Sequence, residues 1–332
     1  MNKEVFFLIG FSNVIGTGHL FRSLNLAKYI KKKGKKIILI EKKKGQFKSY
    51  KKICLDVFDR IISKSDIKNF IFNKDRLQTL VIDDPNIQYD EQKILKKNFF
   101  KTVLFQDIPK KNICDILINH NIISDSKKKY KILSKGNTKL FLGEKYFIAN
   151  QILKKNFQAS KENKIKSITI FFGGLANNKY NEIVLKALKF LQKKNKLNVN
   201  CVLGVYSKKN ALYKNKYPDV KFYKNLSQRS FYSLLKSSNY YIGSGGTSLF
   251  EALKFQLKSI VFCTAKNHYN NCINLSKRKI IIYIQNLNYK DILNKLNHFV
   301  LETEKSLIKK ERLKKFSKSI SSTKISTLFF LP

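Results

Sequence analysis

A histidine follows a glycine-rich turn near the start of the sequence, in the segment Ile15-Gly16-Thr17-Gly18-His19. Gly16 and Gly18 let the backbone turn tightly and come close to a ligand. His19 then falls in the first turn of the helix predicted to follow, where the positive end of the helix dipole favours a neutral imidazole. A neutral imidazole that faces a ligand can act as a general base. The alternative is a histidine that only packs at a turn.

Small and hydroxyl residues form a second candidate site in the segment Gly243-Ser244-Gly245-Gly246-Thr247-Ser248, where an apolar run ends and a helix is predicted to begin. The backbone amides of this turn, the hydroxyls of Thr247 and Ser248 and the helix dipole together suit a pyrophosphate. Glu251 follows one turn later and can accept two hydrogen bonds from ribose hydroxyls. The alternative for Glu251 is a glutamate that only stabilises the helix start. The Walker spacing GxxxxGK[ST] is absent from the sequence.

Two further loops give weaker signals. Gly173 and Gly174 close another apolar run and allow a phosphate to approach, although such pairs are equally common in plain strand-to-helix turns. A polar loop around Asn267 carries amides that suit sugar hydroxyls. His120 and His298 are interpreted as structural residues. No spacing among the histidines or cysteines suggests metal ligands, so neither a metal nor a cofactor is predicted.

The candidate loops lie between apolar runs and amphipathic stretches, which alternate along the chain and are interpreted as strands and helices. In the first half the runs are VFFLIGF, KIILIE, LQTLVIDD, KTVLFQD and CDILIN, and the first predicted helix is 20–33. A second series comprises SITIFFGG, NVNCVLGVY, VKFY, YYIGSGG and SIVFCTA. Strands and helices in alternation predict parallel sheets covered on both faces. Ligands of such sheets bind beyond the carboxyl ends of the strands, where the candidate loops lie.

The length of 332 residues predicts two domains. The polar, lysine-rich segment 151–166 is the predicted linker, with a first domain at 1–155 and a second at 156–300. Residues 301–332 are predicted to form a charged helix and a tail that pack back on the first domain. The predicted fold class is α/β, with two Rossmann-like doubly wound domains that face a ligand-binding cleft.

The composition combines 43% hydrophobic residues, enough for a core, with a formal net charge of +45. Only six of the 67 basic residues are arginine, the planar cation on which nucleic-acid readers rely, so no nucleic-acid partner is predicted. Lysine, asparagine and isoleucine are spread along the chain and share AT-rich codons, so genome composition explains the charge. The alternative is attraction to an anionic lipid surface or an acidic glycan.

The five cysteines are widely spaced and odd in number, which fits a reducing cytosol. No apolar stretch is long enough to span a bilayer. A cytoplasmic protein without stable membrane insertion is therefore predicted, and peripheral membrane contact stays open.

The candidate loops, in this order, resemble the GT-B superfamily. From about Val220 to Asn274 the chain looks like the nucleotide-binding half of the bacterial enzymes that add N-acetylglucosamine to the lipid-linked peptidoglycan precursor. The resemblance implies that 244–251 holds UDP, with Glu251 on the ribose. It also implies that the loop 267–271 contacts the sugar.

The first half resembles a more specific family, the UDP-sugar hydrolases of pseudaminic acid biosynthesis. These enzymes carry GxGH followed three residues later by Arg, which His19 and Arg22 match within IGTGHLFRSLNLA. Similar motifs are CDILINHN, the LGxxY of 142–146, FFGG and SSNYYIGSGGTSLFEAL, so the resemblance runs from Val5 to about Ile280. It implies that water attacks the anomeric carbon of a UDP-linked 2,4-diacetamido-2,4,6-trideoxy sugar with inversion, His19 being the base.

Several positions depart from the pattern of these hydrolases. Leu8 and Gly10 stand where an Arg and an Asp are usual, and Asp83-Asp84-Pro85 replaces an Asp-His-Tyr. Ala176 replaces an acidic residue, and Asn150 replaces an Arg. The UDP half of the resemblance is therefore better preserved than the sugar half, and a different sugar or lost activity stays open.

The predicted function is hydrolysis of a UDP-sugar by a monomer, with His19 as the base. The substrate-binding residues predicted alongside it are Gly16, Gly18, Arg22, Gly173, Gly174, Gly245, Gly246, Thr247, Ser248, Glu251 and Asn267. One alternative is a glycosyltransferase, in which His19 deprotonates an acceptor hydroxyl in place of water. Another is a sugar-nucleotide-binding protein without catalysis.

Overall fold

The structure is a computed structural model that describes residues 4–12, 15–67, 78–150, 153, 165–174, 178–205, 207, 210–301 and 308–320. The chain divides into two compact units, whose main segments are Met1–Lys154 and Lys155–Ile320. Each unit contains a parallel sheet with helices, so the predicted architecture of two Rossmann-like α/β domains is confirmed. Most of the predicted linker 151–166 and the whole tail 321–332 lie outside the described residues.

The first unit is built on a seven-stranded parallel sheet in the order β3-β2-β1-β4-β5-β7-β9, beside a short pair, β6 and β8. The strands are β1 Glu4–Ile9, β2 Lys36–Glu41, β3 Arg60–Ser63, β4 Thr79–Asp83, β5 Lys101–Phe105, β6 Asn112–Ile113, β7 Ile116–Asn119, β8 Ser134–Lys135 and β9 Lys139–Leu142. The described helices are α1 Gly18–Lys31, α2 Lys51–Leu55, α3 Tyr89–Asn98 and α4 Ser126–Leu133.

Alternate side chains of β1 enter two separate apolar clusters, one on each face of this sheet. Phe7 packs with Leu20 and Leu24 of α1, whereas Phe6 packs with Leu95 of α3 and Tyr130 of α4. Burial on both faces explains why these strands are continuous apolar runs in the sequence.

The second unit is built on a six-stranded parallel sheet in the order β12-β11-β10-β13-β14-β15. The strands are β10 Lys166–Phe171, β11 Leu197–Leu203, β12 Val220–Lys224, β13 Tyr240–Ser244, β14 Lys258–Phe262 and β15 Ile282–Ile284. The described helices are α5 Asn178–Gln192, α6 Asn210–Lys216, α7 Gln228–Lys236, α8 Thr247–Lys254, α9 Tyr269–Lys277, α10 Tyr289–Leu301 and α11 Lys310–Ser319.

The strand order reverses between β1 and β4 in the first sheet and between β10 and β13 in the second. At such a switch point the loops beyond the carboxyl ends diverge and leave room for a ligand. The loop of His19 follows β1, and the glycine-rich turn 245–246 follows β13. Both candidate sites therefore lie at the switch point of their own sheet.

The C-terminal helix α11 was predicted to pack on the first domain, but it packs on the second unit. The ring of Phe316 lies 6.4 Å from that of Phe250 in α8, centroid to centroid. Lys254 Nζ donates to the carbonyls of Ser317 and Ile320 at 3.1 and 2.9 Å. The apolar face of α11 thus packs on α8. Lys254 of α8 donates hydrogen bonds to carbonyls at the C-terminal end of α11.

Within the described ranges, the structure contains no helix with the length and apolar character needed to cross a membrane.

Candidate functional site

His19 is held by the turn that joins β1 to α1. Gly16 adopts a left-handed conformation, with φ of 84°, and its amide donates to the carbonyl of Ser12 at 2.9 Å. The helix α1 begins at Gly18, so His19 lies in its first turn with 11% of its side chain exposed. The predicted GxGH turn therefore presents an imidazole at the carboxyl edge of the sheet.

The imidazole of His19 is paired with a carboxylate. Its Nδ1 lies 2.7 Å from Oδ1 of Asp83, the last residue of β4. Because β4 is the neighbour of β1, the pair spans the switch point. A carboxylate accepts the Nδ1 hydrogen, so the neutral tautomer leaves Nε2 as the nitrogen that can take up a proton.

Asp83 is completely buried and remains a carboxylate. Its Oδ2 accepts hydrogen bonds from Arg22 Nε at 2.8 Å and from the Ser23 hydroxyl at 3.0 Å. Burial by itself raises the pKa of Asp83, but the positive charge of Arg22 and the hydrogen bonds from Arg22 and His19 hold it below its usual value. The result is a fixed negative charge beside Nδ1.

The side chain of Arg22 contacts two carboxylates, and its predicted contact with the substrate stays a prediction. Three residues after His19, it lies on the same face of α1, and its Nη1 donates to Asp107 Oδ1 at 2.8 Å while Nε and Nη2 contact Asp83. Only 3% of its side chain is exposed, and the guanidinium lies 5.0 Å from the Phe105 ring centre. Burial lowers the pKa of Arg22, but the charges of Asp107 and Asp83 raise it further, above its ordinary value. Arg22 therefore forms ion pairs with two carboxylates at once.

The side chain of His120 is buried in the first unit. Its ring packs edge-on against Phe147 at 5.2 Å, and its Nδ1 lies 3.4 Å from Arg22 Nη1. Burial and the nearby guanidinium lower the pKa of His120 to about 3. It is neutral at physiological pH and adds no charge to the site.

The glycine-rich turn of the second unit is tightly enclosed. A Cβ added to Gly245 would lie 2.6 Å from Cys272 Sγ, and one added to Gly246 would lie 2.7 Å from His268 Nε2. Asn271 Nδ2 donates to the carbonyl of Gly245 at 2.9 Å. Both positions therefore require glycine, and the start of α9 fixes the turn from which α8 begins.

Gly173 lies on the neighbouring loop after β10, with φ of 91° and a Cβ position 3.9 Å from Ser244 Oγ. The structure therefore brings the predicted loop of Gly173 and Gly174 next to the turn after β13. Thr247 is the first residue of α8 and is half-buried. Asn267 is half-buried in the short 3₁₀ turn Lys266–His268.

The side chain of Ser248 is engaged inside the second unit. The Tyr241 hydroxyl donates to the carbonyl of Phe171 at 2.9 Å, so Ser248 Oγ, also 2.9 Å away, is the donor in the second contact. Ser248 is buried, and its hydroxyl hydrogen is used within the second unit. Its predicted contact with a pyrophosphate stays a prediction.

Glu251 is likewise engaged. Its Oε1 accepts a hydrogen bond of 2.6 Å from the Tyr232 hydroxyl, and only 6% of the residue is exposed. Burial raises the pKa of Glu251 to about 7, although the bond from Tyr232 opposes the shift. Glu251 is thus a buried partner of Tyr232, and its predicted contact with a ribose stays a prediction.

Two residues of the His19 cluster were not predicted from sequence: Asp83 and Asp107. Asp83 stood in the sequence as a departure from a family pattern. The available signal was its position at the end of an apolar run, because parallel strands bring their carboxyl ends to one edge. Asp107 ends the run KTVLFQD and carried the same signal.

The comparisons with known proteins agree with this architecture. Residues 167–323 match the glycosyltransferase family 28 C-terminal domain. Comparison with curated proteins gave no match. Among solved structures, the chain is similar to MurG of Acinetobacter baumannii, with a TM-score of 0.69 and 11% identity over 99% of each chain. The fold is that of the GT-B glycosyltransferases.

Other GT-B neighbours have comparable scores. The spinosyn rhamnosyltransferase SpnG gives a TM-score of 0.65 at 10% identity, over 99% of this chain and 100% of the other. UGT71G1 of Medicago truncatula, solved in complex with UDP-glucose, gives 0.64 at 10% identity, over 99% and 97%. At these identities the likeness concerns the GT-B fold.

Proposed function

We propose that this protein hydrolyses a UDP-linked sugar, with His19 as the base that activates water. The observation that carries the proposal is the 2.7 Å contact between His19 Nδ1 and Asp83 Oδ1, which orients the imidazole and stabilises it when it is protonated. The GT-B fold and the family 28 match in the second unit support a sugar nucleotide as the substrate.

The second unit binds the nucleotide in this proposal. Backbone amides at Gly246 and Thr247, at the positive end of α8, hold the pyrophosphate, and Gly173 offers a second close approach for the backbone. These donors stabilise the negative charge on UDP as it departs. Asn267 contributes an amide to the sugar.

The reaction proceeds in one displacement. His19 Nε2 removes a proton from water, the water oxygen bonds to the anomeric carbon, and the bond from that carbon to the UDP oxygen breaks with its electron pair on UDP. The products are the free sugar, inverted at the anomeric carbon, and UDP. The resemblance of the GxGH segment to the hydrolases of pseudaminic acid biosynthesis supports a 2,4-diacetamido-2,4,6-trideoxy sugar as the substrate.

Glycosyl transfer is the second candidate, and it is favoured by the glycosyltransferase neighbours and by the family 28 match. His19 would then take its proton from an acceptor hydroxyl. The base, the carboxylate and the nucleotide site would serve both reactions, so the acceptor alone distinguishes them.

UDP release tests the proposal. The protein is incubated with UDP-2,4-diacetamido-2,4,6-trideoxy-β-L-altropyranose or UDP-N-acetylglucosamine, without acceptor or added metal, beside His19→Ala. Release by the parent that is lost in His19→Ala supports hydrolysis. UDP that forms only after addition of a glycan or lipid-linked acceptor would favour the transferase. UDP binding without release under any condition would contradict both.

A further inference from the structure

The loop after β5 is held in place by buried polar side chains. The Tyr130 hydroxyl donates to the carbonyl of Gln106 at 2.7 Å, and Asn119 Nδ2 donates to that hydroxyl at 2.7 Å. The side-chain amides of Asn119 and Asn121 both lie 3.3 Å from the carbonyl of Asp107. Buried polar groups of this kind fix a backbone in one conformation. The sequence motif CDILINHN therefore serves to position the loop of Asp107.

Asp107, the second residue of this loop, lies close to His19. Asp107 Oδ1 accepts from Arg22 Nη1 at 2.8 Å, while Oδ2 lies 3.9 Å from His19 Nε2. That separation is too long for a direct hydrogen bond, and one water oxygen can lie within hydrogen-bond distance of both atoms. Asp107 and His19 are each about one-tenth exposed, so both border the surface at this point.

The charges around His19 leave one excess negative charge. Asp83 and Asp107 are both carboxylates, because their pKa values are held below the usual range, and Arg22 supplies a single positive charge. The carbon attacked in a glycosyl displacement becomes positive in the transition state. A fixed carboxylate near the attacking oxygen stabilises that charge.

We propose that Asp107 is a second catalytic residue, which holds the attacking water against His19. This inference rests on the proposed function. One hydrogen of the water goes to His19 Nε2, and the other forms a hydrogen bond to Asp107 Oδ2. The water oxygen bonds to the anomeric carbon while UDP departs with the electron pair of the broken bond. The imidazolium then releases its proton to solvent, and Asp107 stays ionised throughout.

A comparison of water with methanol as the nucleophile distinguishes a catalytic role of Asp107 from a structural one. Water has two hydrogens, one for each residue, whereas methanol has one, which His19 takes. Asp107→Asn is therefore expected to lower hydrolysis about 100-fold. In water–methanol mixtures, Asp107→Asn is also expected to raise the ratio of methyl glycoside to free sugar about tenfold. In the parent, the Asp107 carboxylate forms a hydrogen bond with the second hydrogen of water, which methanol lacks, and the variant loses this charged partner.

The matched control is Asp90→Asn, a carboxylate on the exposed start of α3, which should leave both rate and ratio unchanged. Asn121→Ala removes one amide from the Asp107 carbonyl but keeps the carboxylate. It should therefore lower the hydrolysis rate and raise the product ratio, each by less than Asp107→Asn does. It also provides the test if Asp107→Asn fails to fold.

Equal losses of hydrolysis and methanolysis in Asp107→Asn, with an unchanged product ratio, would overturn the role of Asp107 while the proposed function stands. An unchanged rate would do the same. A parent protein that cleaves no UDP-sugar in water would instead overturn the proposed function, and with it this inference. Urea unfolding and UDP calorimetry on each variant identify a loss that reflects misfolding.

Discussion

His19 Nδ1 lies 2.7 Å from Asp83 Oδ1 at the switch point of the first sheet. His19 begins the helix that follows β1, and Asp83 ends the neighbouring strand β4. The histidine is partly exposed, whereas the aspartate is completely buried and ionised. The contact fixes which imidazole nitrogen is free to accept a proton. The sheet thereby sets the orientation of the imidazole.

Asp83→Asn should lower UDP-sugar hydrolysis by about 10²–10⁴-fold, because the imidazole loses the charge that fixes its tautomer and stabilises its protonated form. The loss in His19→Ala/Asp83→Asn should be close to that of His19→Ala alone, since the residues act as a unit. Initial rates of UDP release measure both. The control is Asp84→Asn, whose carboxylate contacts Lys42 Nζ at 2.7 Å. Losses that multiply in the double variant would show that the two residues act independently.

Arg22→Met should destabilise the first unit by about 3–5 kcal/mol at pH 7, because it leaves two buried carboxylates without their cation. In the parent, the lowered pKa values of Asp83 and Asp107 give stability that is present above the unfolded pKa and is lost as pH falls through the folded values. In Arg22→Met, burial raises the pKa values of Asp83 and Asp107. As the pH falls, these carboxylates become protonated, and the cost of burying their unpaired charges is removed.

The gap in the free energy of unfolding between parent and Arg22→Met should therefore narrow from pH 7 to pH 5, as measured by urea unfolding. Arg60→Met, at the exposed start of β3, is the control. A gap of the same size at both pH values would mean that lost packing, and not charge, sets the destabilisation.

Glu251→Gln should change how stability depends on pH. The pKa of Glu251 is about 7 in the folded protein against an ordinary 4.5, so the folded state binds the proton more tightly. Its contribution is fully present below about pH 4.5 and is lost as pH rises through 7. The free energy of unfolding of the parent should fall by about 3 kcal/mol relative to Glu251→Gln over that range. A difference independent of pH would show that Glu251 is not buried in this way.

Gly246→Ala should weaken UDP binding about tenfold, because the new methyl group meets His268 Nε2 at 2.7 Å. The φ of Gly246 is −93°, which alanine adopts readily, so the clash with His268 is the source of the effect. Titration calorimetry with UDP measures it. The double variant Gly246→Ala/His268→Ala removes the obstacle and should recover binding relative to Gly246→Ala; equal weakness in both variants would contradict this cause.

Local pattern was sufficient to predict much of the fold. The strand that ends at Asp83 was visible as LQTLVIDD, and the helix of His19 was predicted at 20–33 against Gly18–Lys31 in the structure. Buried parallel strands are continuous apolar runs, and glycines mark the turns between strand and helix, so both signals are local. The packing of α11 on the second unit was not predicted, because a charged amphipathic sequence does not indicate which apolar surface its buried face will contact.

The site was only partly predictable for a related reason. The GxGH turn identified His19, but its partner is 64 residues away, and the order of strands in the sheet decides that they meet. Sequence likewise does not show the two carboxylates that contact Arg22. The tyrosine partners of Ser248 and Glu251 come from a neighbouring strand and helix, so residue type at the start of α8 could not predict these contacts.

The central claim is that water attacks the anomeric carbon of a UDP-sugar with His19 as base. The most direct test is the reaction of UDP-2,4-diacetamido-2,4,6-trideoxy-β-L-altropyranose in ¹⁸O-labelled water without acceptor, with the UDP analysed by mass spectrometry and the His19→Ala variant run in parallel. Our account predicts that the parent forms UDP free of label and that His19→Ala forms almost none. Label in the UDP would place the attack at phosphorus, and that result, or the absence of UDP from the parent reaction, would contradict the account.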